Sequence, residues 1–373
     1  MKRNILTVAL AAMLMSAQCS AQPQSNFEKF ADNLDSSLDY FDDVMESLDD
    51  AMESLGDAIE EMVDSATEFG DSTVIIKHRG NSIITYYNKS ANINGKSIKL
   101  SSKDPMLTRR FPVSSYNALS VNYSFKVVMC DTVDSIVVRV NEKLKNYLNV
   151  RYNNGKLHIG LNHIDGISCE DGAVFGFVYL PYNLKLNYVE LNGCSSFNTK
   201  LPIRTSTFNI DLSGASNFSA DINAGITSFE LSGASVYEGD VTASTFNVDL
   251  SGSSKIRTKA KASKLNADLS GASQMLATLD IKSLNIDNSG ASKIKLKGKA
   301  NSMELELSGS SELYSELPLK SVRGSMSGAS KATLQCNEVI EMELSGASHL
   351  RYYGDAKDNI TTSRTAKANR IKK

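Results

Sequence analysis

Seven acidic side chains recur at one position of a sequence repeat and are the residues best placed to do chemistry. Their spacing is 19 residues through the first six, and Ser325 interrupts them before the last; they are Asp211, Glu230, Asp249, Asp268, Asp287, Glu306 and Glu343. Asparagines accompany several of them two positions earlier. Regularly spaced carboxylate and amide oxygens suit a divalent cation or the hydroxyl groups of a glycan. A solvated acidic face with exchangeable counterions fits the same residues without a ligand, and both interpretations stay open.

Serines recur just as regularly, two residues after each repeat glycine, from Ser195 to Ser348. A catalytic serine is unique and lies beside a base, but only Ser348 has a histidine, His349, next to it. We therefore expect the serine hydroxyls to bond turn amides and one another, with no catalytic residue and no cofactor. A carbohydrate-active β-helix enzyme is the weaker alternative. The four histidines are scattered along the chain: His78, His158, His163 and His349.

The cysteines do not suggest a metal site. Cys130, Cys169, Cys194 and Cys336 are far apart and lack the close Cys or His spacing of structural zinc sites. We expect Cys194 and Cys336 to be small core residues. Cys130 and Cys169 stay open as a disulfide pair, which an exported protein would permit.

Nine glycines define the repeat that must position these side chains: Gly193, Gly214, Gly233, Gly252, Gly271, Gly290, Gly309, Gly328 and Gly346. Apolar residues alternate with polar ones on both sides of each glycine, as in Phe208, Ile210 and Leu212. A period of two indicates strands with one buried face. A unit this small must stack on its neighbours to bury that face. The sequence therefore predicts a mainly β fold, a parallel β-helix or β-solenoid over 191–363, with coils of about 19 residues and Ser-Gly-Ala-Ser turns.

Stacking in register would place equal positions of successive coils in columns about 4.8 Å apart. The column two residues before each glycine is leucine except at Asn288 and Met326. We expect Asn288 to find backbone partners within the core. The opposite strand of the middle coils is basic, and its outward residues include Lys255, Arg257, Lys259, Lys293, Lys295 and Lys297.

The first 21 residues have the pattern of a secretory signal peptide. Lys2 and Arg3 precede a short apolar run from Ile5 to Met15, and cleavage after Ala21 satisfies the small-residue rule. Lipoprotein anchoring through Cys19 is disfavoured because Gln18 precedes it. No later segment is apolar enough for a transmembrane helix. We expect an exported protein, in the periplasm or on the outer cell surface of a Gram-negative bacterium.

Charge is segregated along the chain. Residues 22–71 carry 16 Asp or Glu and one Lys, whereas 72–373 carry 37 Lys or Arg and 26 Asp or Glu. The excess of basic residues in 72–373 is spread thinly, and the acidic segment 22–71 would compete with a nucleic acid for it. We therefore do not expect nucleic-acid binding. Apolar residues from Leu38 to Phe69 alternate steps of three and four, which predicts an acidic amphipathic or coiled-coil helix within 22–72. Self-association through 38–69, or packing against the basic body, are both open.

The remaining segments are less regular. Residues 73–190 read as an irregular β region that opens the solenoid. Asn94-Gly95 and Asn154-Gly155 are typical of type I′ hairpin turns there. The last ten residues, 364–373, carry five basic and no acidic side chains, which predicts a disordered basic tail.

The repeated Leu-Ser-Gly-Ala/Ser-Ser motif from Leu212 to Ser348 resembles the head GIN domain family, described as a "putative autotransporter adhesin". Phe111 to Val128, Asn154-Gly155 and the closing Gly346 to Gly354 share that resemblance, which covers about 111–363. It implies a β-helix without catalytic residues, exposure at the cell envelope and an adhesion role. We therefore expect an adhesion or ligand-binding head for a glycan or a surface protein. A structural or scaffolding periplasmic protein is the alternative.

Overall fold

The computed structural model describes residues 72–77, 83–88, 98–162, 164, 166–169 and 173–371. Two compact units divide the chain, Met1–Thr73 and Val74–Lys373, and nearly all described residues belong to the second. The signal peptide 1–21, the predicted helix except Ser72, and Asn94-Gly95 lie outside the described residues.

Eleven strands and one 3-10 turn (Glu142–Leu144) precede the repeats in the described residues. The strands are β1 (Ser72–Lys77), β2 (Ile83–Asn88), β3 (Ile98–Leu100), β4 (Met106–Phe111), β5 (Ala118–Val121), β6 (Phe125–Cys130), β7 (Ile136–Asn141), β8 (Leu148–Asn153), β9 (Lys156–Leu161), β10 (Ile167–Cys169) and β11 (Gly176–Pro181). β8 and β9 form an antiparallel hairpin. Asn154 and Gly155 at its turn have φ of 48° and 75°, which confirms the type I′ prediction.

Nineteen further strands form the repeats. They are β12 (Tyr188–Leu191), β13 (Ser196–Thr199), β14 (Ile203–Leu212), β15 (Asn217–Ser219), β16 (Ile222–Leu231), β17 (Val236–Glu238), β18 (Val241–Thr242), β19 (Thr245–Leu250), β20 (Lys255–Lys261), β21 (Lys264–Leu269), β22 (Gln274–Asp280), β23 (Ser283–Asn288), β24 (Lys293–Lys299), β25 (Ser302–Leu307), β26 (Glu312–Met326), β27 (Lys331–Leu344), β28 (His349–Tyr353), β29 (Lys357–Thr362) and β30 (Lys367–Arg370).

The sheet topology confirms a β-solenoid. Twenty-six strands belong to one continuous sheet, while β1–β2 and β3–β10 form two-stranded sheets. From β12 onward, each strand pairs in parallel with the equivalent strand of the next coil, as β19 does with β21 and β20 with β22. The stack has about ten turns, and no α-helix occurs in the part of the chain that is described.

The predicted core columns are confirmed by the strand register. Leu212 pairs with Leu231, and Leu231 with Leu250, so that the leucines stack in line. The leucines of this column are all nearly or fully buried. Aromatic rings fill the early coils, with Phe197 and Phe218 stacked at 4.8 Å between centroids. Because each coil buries its apolar face only against its neighbours, in-register stacking is what makes the core continuous.

The turn glycines are required by backbone geometry. Gly271, for example, has φ of +69°, a region that side chains rarely adopt. A Cβ added there would lie 2.6 Å from the carbonyl oxygen of Gly252 in the coil below. Ala272 donates its amide to that same oxygen at 2.7 Å, so the close approach is part of the turn ladder.

The repeat serines serve the turns, although not through the amides that were expected. Ser254 Oγ donates to the carbonyl oxygen of Ser251 at 2.8 Å, and the same bond recurs between Ser216 and Ser213. The hydroxyls are fully buried, which fits a structural role. In three coils the hydroxyl has no partner in the structure: Ser235, Ser311 and Ser330.

Asn288 is fully buried in the leucine column and finds backbone partners, as predicted. Its Nδ2 donates to the carbonyl oxygens of Ser292 at 3.4 Å and Glu312 at 3.3 Å. Ser292 Oγ donates to its Oδ1. These contacts lie inside the stack and do not present the side chain to a ligand.

The stack begins before residue 191. β5 pairs in parallel with β12, and β6 pairs in parallel with β13, so residues 118–130 form a coil without the Ser-Gly-Ala-Ser motif. Tyr123 occupies the glycine position of this coil with φ of 73°. A Cβ on Gly193 would lie 2.3 Å from the Tyr123 carbonyl oxygen, which shows that the turn ladder continues through Tyr123.

The C-terminal end corrects the prediction of a disordered tail over 364–373. Lys367–Arg370 forms β30, which pairs in parallel with β28. Asp358 and Arg370 occupy positions in line with the buried residues Ile340 and Tyr352 of the preceding coil and form an ion pair at 3.2 Å. Charged residues at the last core positions discourage a further coil or another chain from adding to this edge.

The cysteines are only partly as expected. Cys336 is fully buried in the core, whereas Cys194 is partly exposed, so its assignment to the core is wrong. Cys130 and Cys169 are free in the structure. Burial, followed by the nearby Cys194, raises the pKa of Cys169 to about 11.

Candidate ligand-binding faces

The seven predicted carboxylates lie in one column on the outside of the solenoid. Strand pairing aligns Asp211 with Glu230, continues through Asp287 to Glu306, and reaches Glu343 after Ser325. Glu190 pairs with Asp211 and extends the column by one coil. We call this column the acidic ladder: Glu190, Asp211, Glu230, Asp249, Asp268, Asp287, Glu306 and Glu343. Successive rungs of parallel strands are about 4.8 Å apart.

An asparagine column runs beside the middle of the acidic ladder. Asn266 Nδ2 donates to Asn247 Oδ1 at 2.7 Å, and Asn247 Nδ2 donates to Ser228 Oγ at 3.2 Å. These bonds fix the amide orientations along the stack. An open groove of about 320 Å³ crosses four coils here, from Glu230 to Asp287, and both columns line it.

The acidic ladder is electrostatically strained at its centre. Burial, followed by the charges of Asp287 and Asp249, raises the pKa of Asp268. Like charges on adjacent strands destabilise a sheet. A ligand that donates hydrogen bonds or carries positive charge would relieve this repulsion.

A cation site is less well supported than hydroxyl recognition. Within the described residues, no group of three or more His, Cys, Asp or Glu side chains is arranged to hold a metal ion. The rungs place carboxylates side by side along a line. Calcium requires six to eight oxygens converging on one point, which a straight row does not provide.

The N-terminal end of the acidic ladder is chemically distinct from the repeats. Lys156 Nζ lies 2.8 Å from Glu190 Oε2 and 4.8 Å from the centroid of the Tyr188 ring. Asn192 Nδ2 donates to the other carboxylate oxygen of Glu190 at 2.9 Å. The Tyr188 hydroxyl donates to Asp211 Oδ2 at 3.5 Å. Here a cation, a ring and two carboxylates meet across four successive paired strands, β9, β5, β12 and β14.

Glu190 and Asp211 differ in acidity. Burial alone would raise the pKa of Glu190, but hydrogen bonds from Lys156 and Asn192 lower it overall. Burial, followed by the charge of Glu190, raises the pKa of Asp211. Opposite shifts in neighbouring carboxylates occur in glycosidases. In this pair both oxygens of Glu190 already accept hydrogen bonds, so the geometry favours a fixed recognition group over a free nucleophile.

The histidine noted beside a repeat serine does not form a catalytic pair with it. His349 lies on β28 with its exposed side chain in register with Lys331 and Lys367. The Ser348 hydroxyl is buried and donates to the Ser345 carbonyl oxygen at 2.7 Å.

Sequence reasoning missed Glu190 and Lys156. Glu190 stands three residues before Gly193, in the same frame as the other ladder residues, so the repeat alone could have identified it. Lys156 lies 34 residues before Glu190, at the start of the second strand of the β8–β9 hairpin. Only the fold brings the two side chains together.

The family of the chain follows from its sequence match. The model of the family described as "Putative auto-transporter adhesin, head GIN domain" matches residues 115–260 and 248–356. The chain belongs to this family. The matched residues of the head GIN domain include the whole acidic ladder. None of the curated proteins compared with the chain matches it.

Several solved structures are similar to this head GIN domain protein. A "putative adhesin" from Parabacteroides merdae ATCC 43184 is 15% identical with a TM-score of 0.44, covering 74% of this chain and 100% of its own. A "putative adhesin" from Parabacteroides distasonis ATCC 8503 is 16% identical with a TM-score of 0.43, covering 73% and 100%. A "putative lipid binding protein" from the same strain is 13% identical with a TM-score of 0.40, covering 73% and 99%.

The head GIN domain description suggests an extracellular or envelope protein. Across the described part of the chain, no helix has the length and apolarity to cross a bilayer.

Proposed function

We propose that this protein is a non-enzymatic adhesion head at the cell envelope that binds an elongated, hydroxyl-rich glycan along the acidic ladder. The observation that carries the proposal is the groove that follows the ladder across four coils. A carboxylate repeats at each of its four rungs, and an asparagine amide accompanies it at three of them. A polymer of similar units could therefore make the same contact repeatedly along the stack.

The chemistry of the groove favours hydroxyl donors. Each ladder carboxylate is an acceptor of hydrogen bonds, and bonds to a charged acceptor are roughly twice as strong as neutral ones. Hydroxyl groups would shield neighbouring carboxylates from one another. Asp268 is one position where such shielding would act, because burial and then the charges of Asp287 and Asp249 raise its pKa.

The first coils supply an end to the binding face. Lys156 and Asn192 hold Glu190 in one orientation, and Tyr188 presents a ring beside it. An aromatic ring with adjacent hydrogen-bonding groups is suited to the apolar face and hydroxyls of one sugar. This arrangement would fix where a bound chain begins.

Export by the signal peptide 1–21 and display on the outer cell surface belong to this proposal. Labelling of intact cells with a membrane-impermeant reagent tests the display. Labelling only after the outer membrane is opened would favour the alternative, a periplasmic scaffolding protein.

Binding is tested by titration calorimetry of the full mature chain with neutral oligosaccharides selected on a glycan array. D268N and D280N remove one charge each from the same coil, but only Asp268 belongs to the ladder. Loss of one charged acceptor should weaken binding about tenfold or more in D268N and leave D280N unchanged. Equal affinities of D268N and the parent protein, or no binding by any glycan, would contradict the proposal. A calcium titration separates the cation interpretation, which requires heat and a thermal shift.

A further inference from the structure

A second surface has the opposite charge and does not depend on the acidic ladder. Every outward residue of β20 and of β24 is lysine or arginine, four on each strand. The strand between them, β22, presents Gln274, Leu276, Thr278 and Asp280. We call the outward residues of these three strands the basic face. It contains eight cations and one carboxylate.

The cations of the basic face form two parallel rows. Strand pairing aligns Arg257 with Leu276 and Lys295, and Lys259 with Thr278 and Lys297. Alternate rungs are about 9.6 Å apart, and alternate residues along a strand are about 6.6 Å apart. Charges spread in this way do not converge on one small anion. They match negative groups repeated along an extended chain.

The carboxylates that pair with these cations lie at the margins. Glu238 on one side contacts Arg257 at 2.9 Å; on the other side Glu316 contacts Lys297 at 3.3 Å and Glu312 contacts Lys293 at 3.9 Å. All six of these side chains are at least 41% exposed. Exposed ion pairs contribute little free energy, so an incoming polyanion could exchange with them at small cost.

Apolar groups are exposed on and beside the same face. Leu276 and Tyr314 are each 39% exposed. They lie in one outward column, two rungs apart, with Lys295 on the rung between them. The Lys295 ammonium lies 5.7 Å from the Tyr314 ring. A ring and an aliphatic side chain beside cations are suited to sugar rings that carry negative groups. An open groove of about 530 Å³ crosses these rungs.

We propose that the basic face binds an acidic polysaccharide bearing carboxylate or sulfate groups. A nucleic acid is the competing polyanion. Single-stranded nucleic acids are held mainly by successive aromatic rings on which their bases stack. The outward residues of the basic face include no aromatic ring, and Tyr314 lies beside them, so the face suits a charged sugar chain better.

Binding is measured with the full mature chain by calorimetry at several salt concentrations. The probes are a heparin dodecasaccharide, an oligogalacturonate, a neutral oligosaccharide of equal length and a single-stranded DNA 12-mer. K259T/K297T introduces the residue that Thr278 already provides between them. K264T/K282T removes the same charge from exposed positions outside the basic face. Circular dichroism and melting temperature check that both variants fold.

Both acidic oligosaccharides should bind, with affinity that falls as salt rises. K259T/K297T should weaken them about 2- to 30-fold, and K264T/K282T less than twofold. Equal losses in the two variants would show an effect of net charge alone and overturn the proposal. Tighter binding by the DNA, by the neutral sugar or by a peptide of residues 38–69 would overturn it as well. So would the absence of binding by either acidic oligosaccharide.

Discussion

Replacing Asn288 by leucine should stabilise the solenoid. Asn288 is fully buried, and its two donated hydrogen bonds are long, at 3.3 and 3.4 Å. The in-register neighbours Leu269 and Leu307 show that the column accommodates leucine at this depth. Ser292 keeps the Ser289 carbonyl oxygen as an acceptor after the change.

The magnitude follows from two opposing terms. Burying a leucine side chain contributes about 1.5–3 kcal/mol. Loss of the amide hydrogen bonds costs about 0.5–1.5 kcal/mol. N288L should therefore raise the free energy of unfolding by about 1–2 kcal/mol. The reverse change one coil earlier, L269N, should lower it by about 3–6 kcal/mol, because it removes a buried leucine and buries an amide without prepared acceptors.

Urea unfolding at neutral pH measures both changes. Far-UV circular dichroism and tyrosine fluorescence provide two probes, since the chain contains no tryptophan. Coincident transitions are needed because stacked repeats do not always unfold in two states. A lower unfolding free energy for N288L, or a loss below about 1 kcal/mol for L269N, would refute the in-register apolar column as the source of stability.

Three further predictions concern the turns and the acidic ladder. G271A should lower the unfolding free energy by roughly 2–5 kcal/mol, since it forces a side chain into positive φ and against a backbone carbonyl. The control A272S, at an exposed position, should change the unfolding free energy by less than about 0.5 kcal/mol. Similar urea midpoints for the two variants would contradict this prediction. D268N should raise stability at pH 7 by up to about 1 kcal/mol. The raised pKa of Asp268 means that its charged form is disfavoured in the fold, so the stability gain of D268N should vanish at pH 3. Thermal melts that show an equal gain at pH 7 and pH 3 would contradict this prediction. K156M should cost about 1–3 kcal/mol at pH 7 by removing the partner of Glu190. Because the pKa of Glu190 is lowered, that stability exists above the unfolded pKa and is lost as pH falls through the folded pKa; melts showing the same loss at pH 3 would count against it.

The repeat was predictable because one physical requirement repeats. Each turn needs a residue with positive φ close to the backbone of the next coil, and glycine meets it nine times. Once the glycines set the register, the leucine column, the burial of Asn288 and the outward carboxylates from Asp211 to Glu343 followed.

The ends of the solenoid were harder to predict because they break the repeat. Tyr123 takes the glycine position with φ of 73°, which no sequence rule assigns to a tyrosine. Five basic residues suggested disorder at the C-terminus, yet Arg370 pairs with Asp358 and closes the last coil. The contact between Lys156 and Glu190 depends on a hairpin packing beside a distant strand, and local patterns do not encode that distance.

The claim that the acidic ladder is the binding face is tested most directly by NMR of the full mature chain labelled only at asparagine. The side-chain amides of Asn247, Asn266 and Asn285 line the ladder groove and report contact there. Titration with a neutral glycan that binds should shift these three signals, with Asn301 and Asn337 on other exposed parts of the coils unchanged. Shifts confined to asparagines outside the groove, with these three unmoved, would contradict the account.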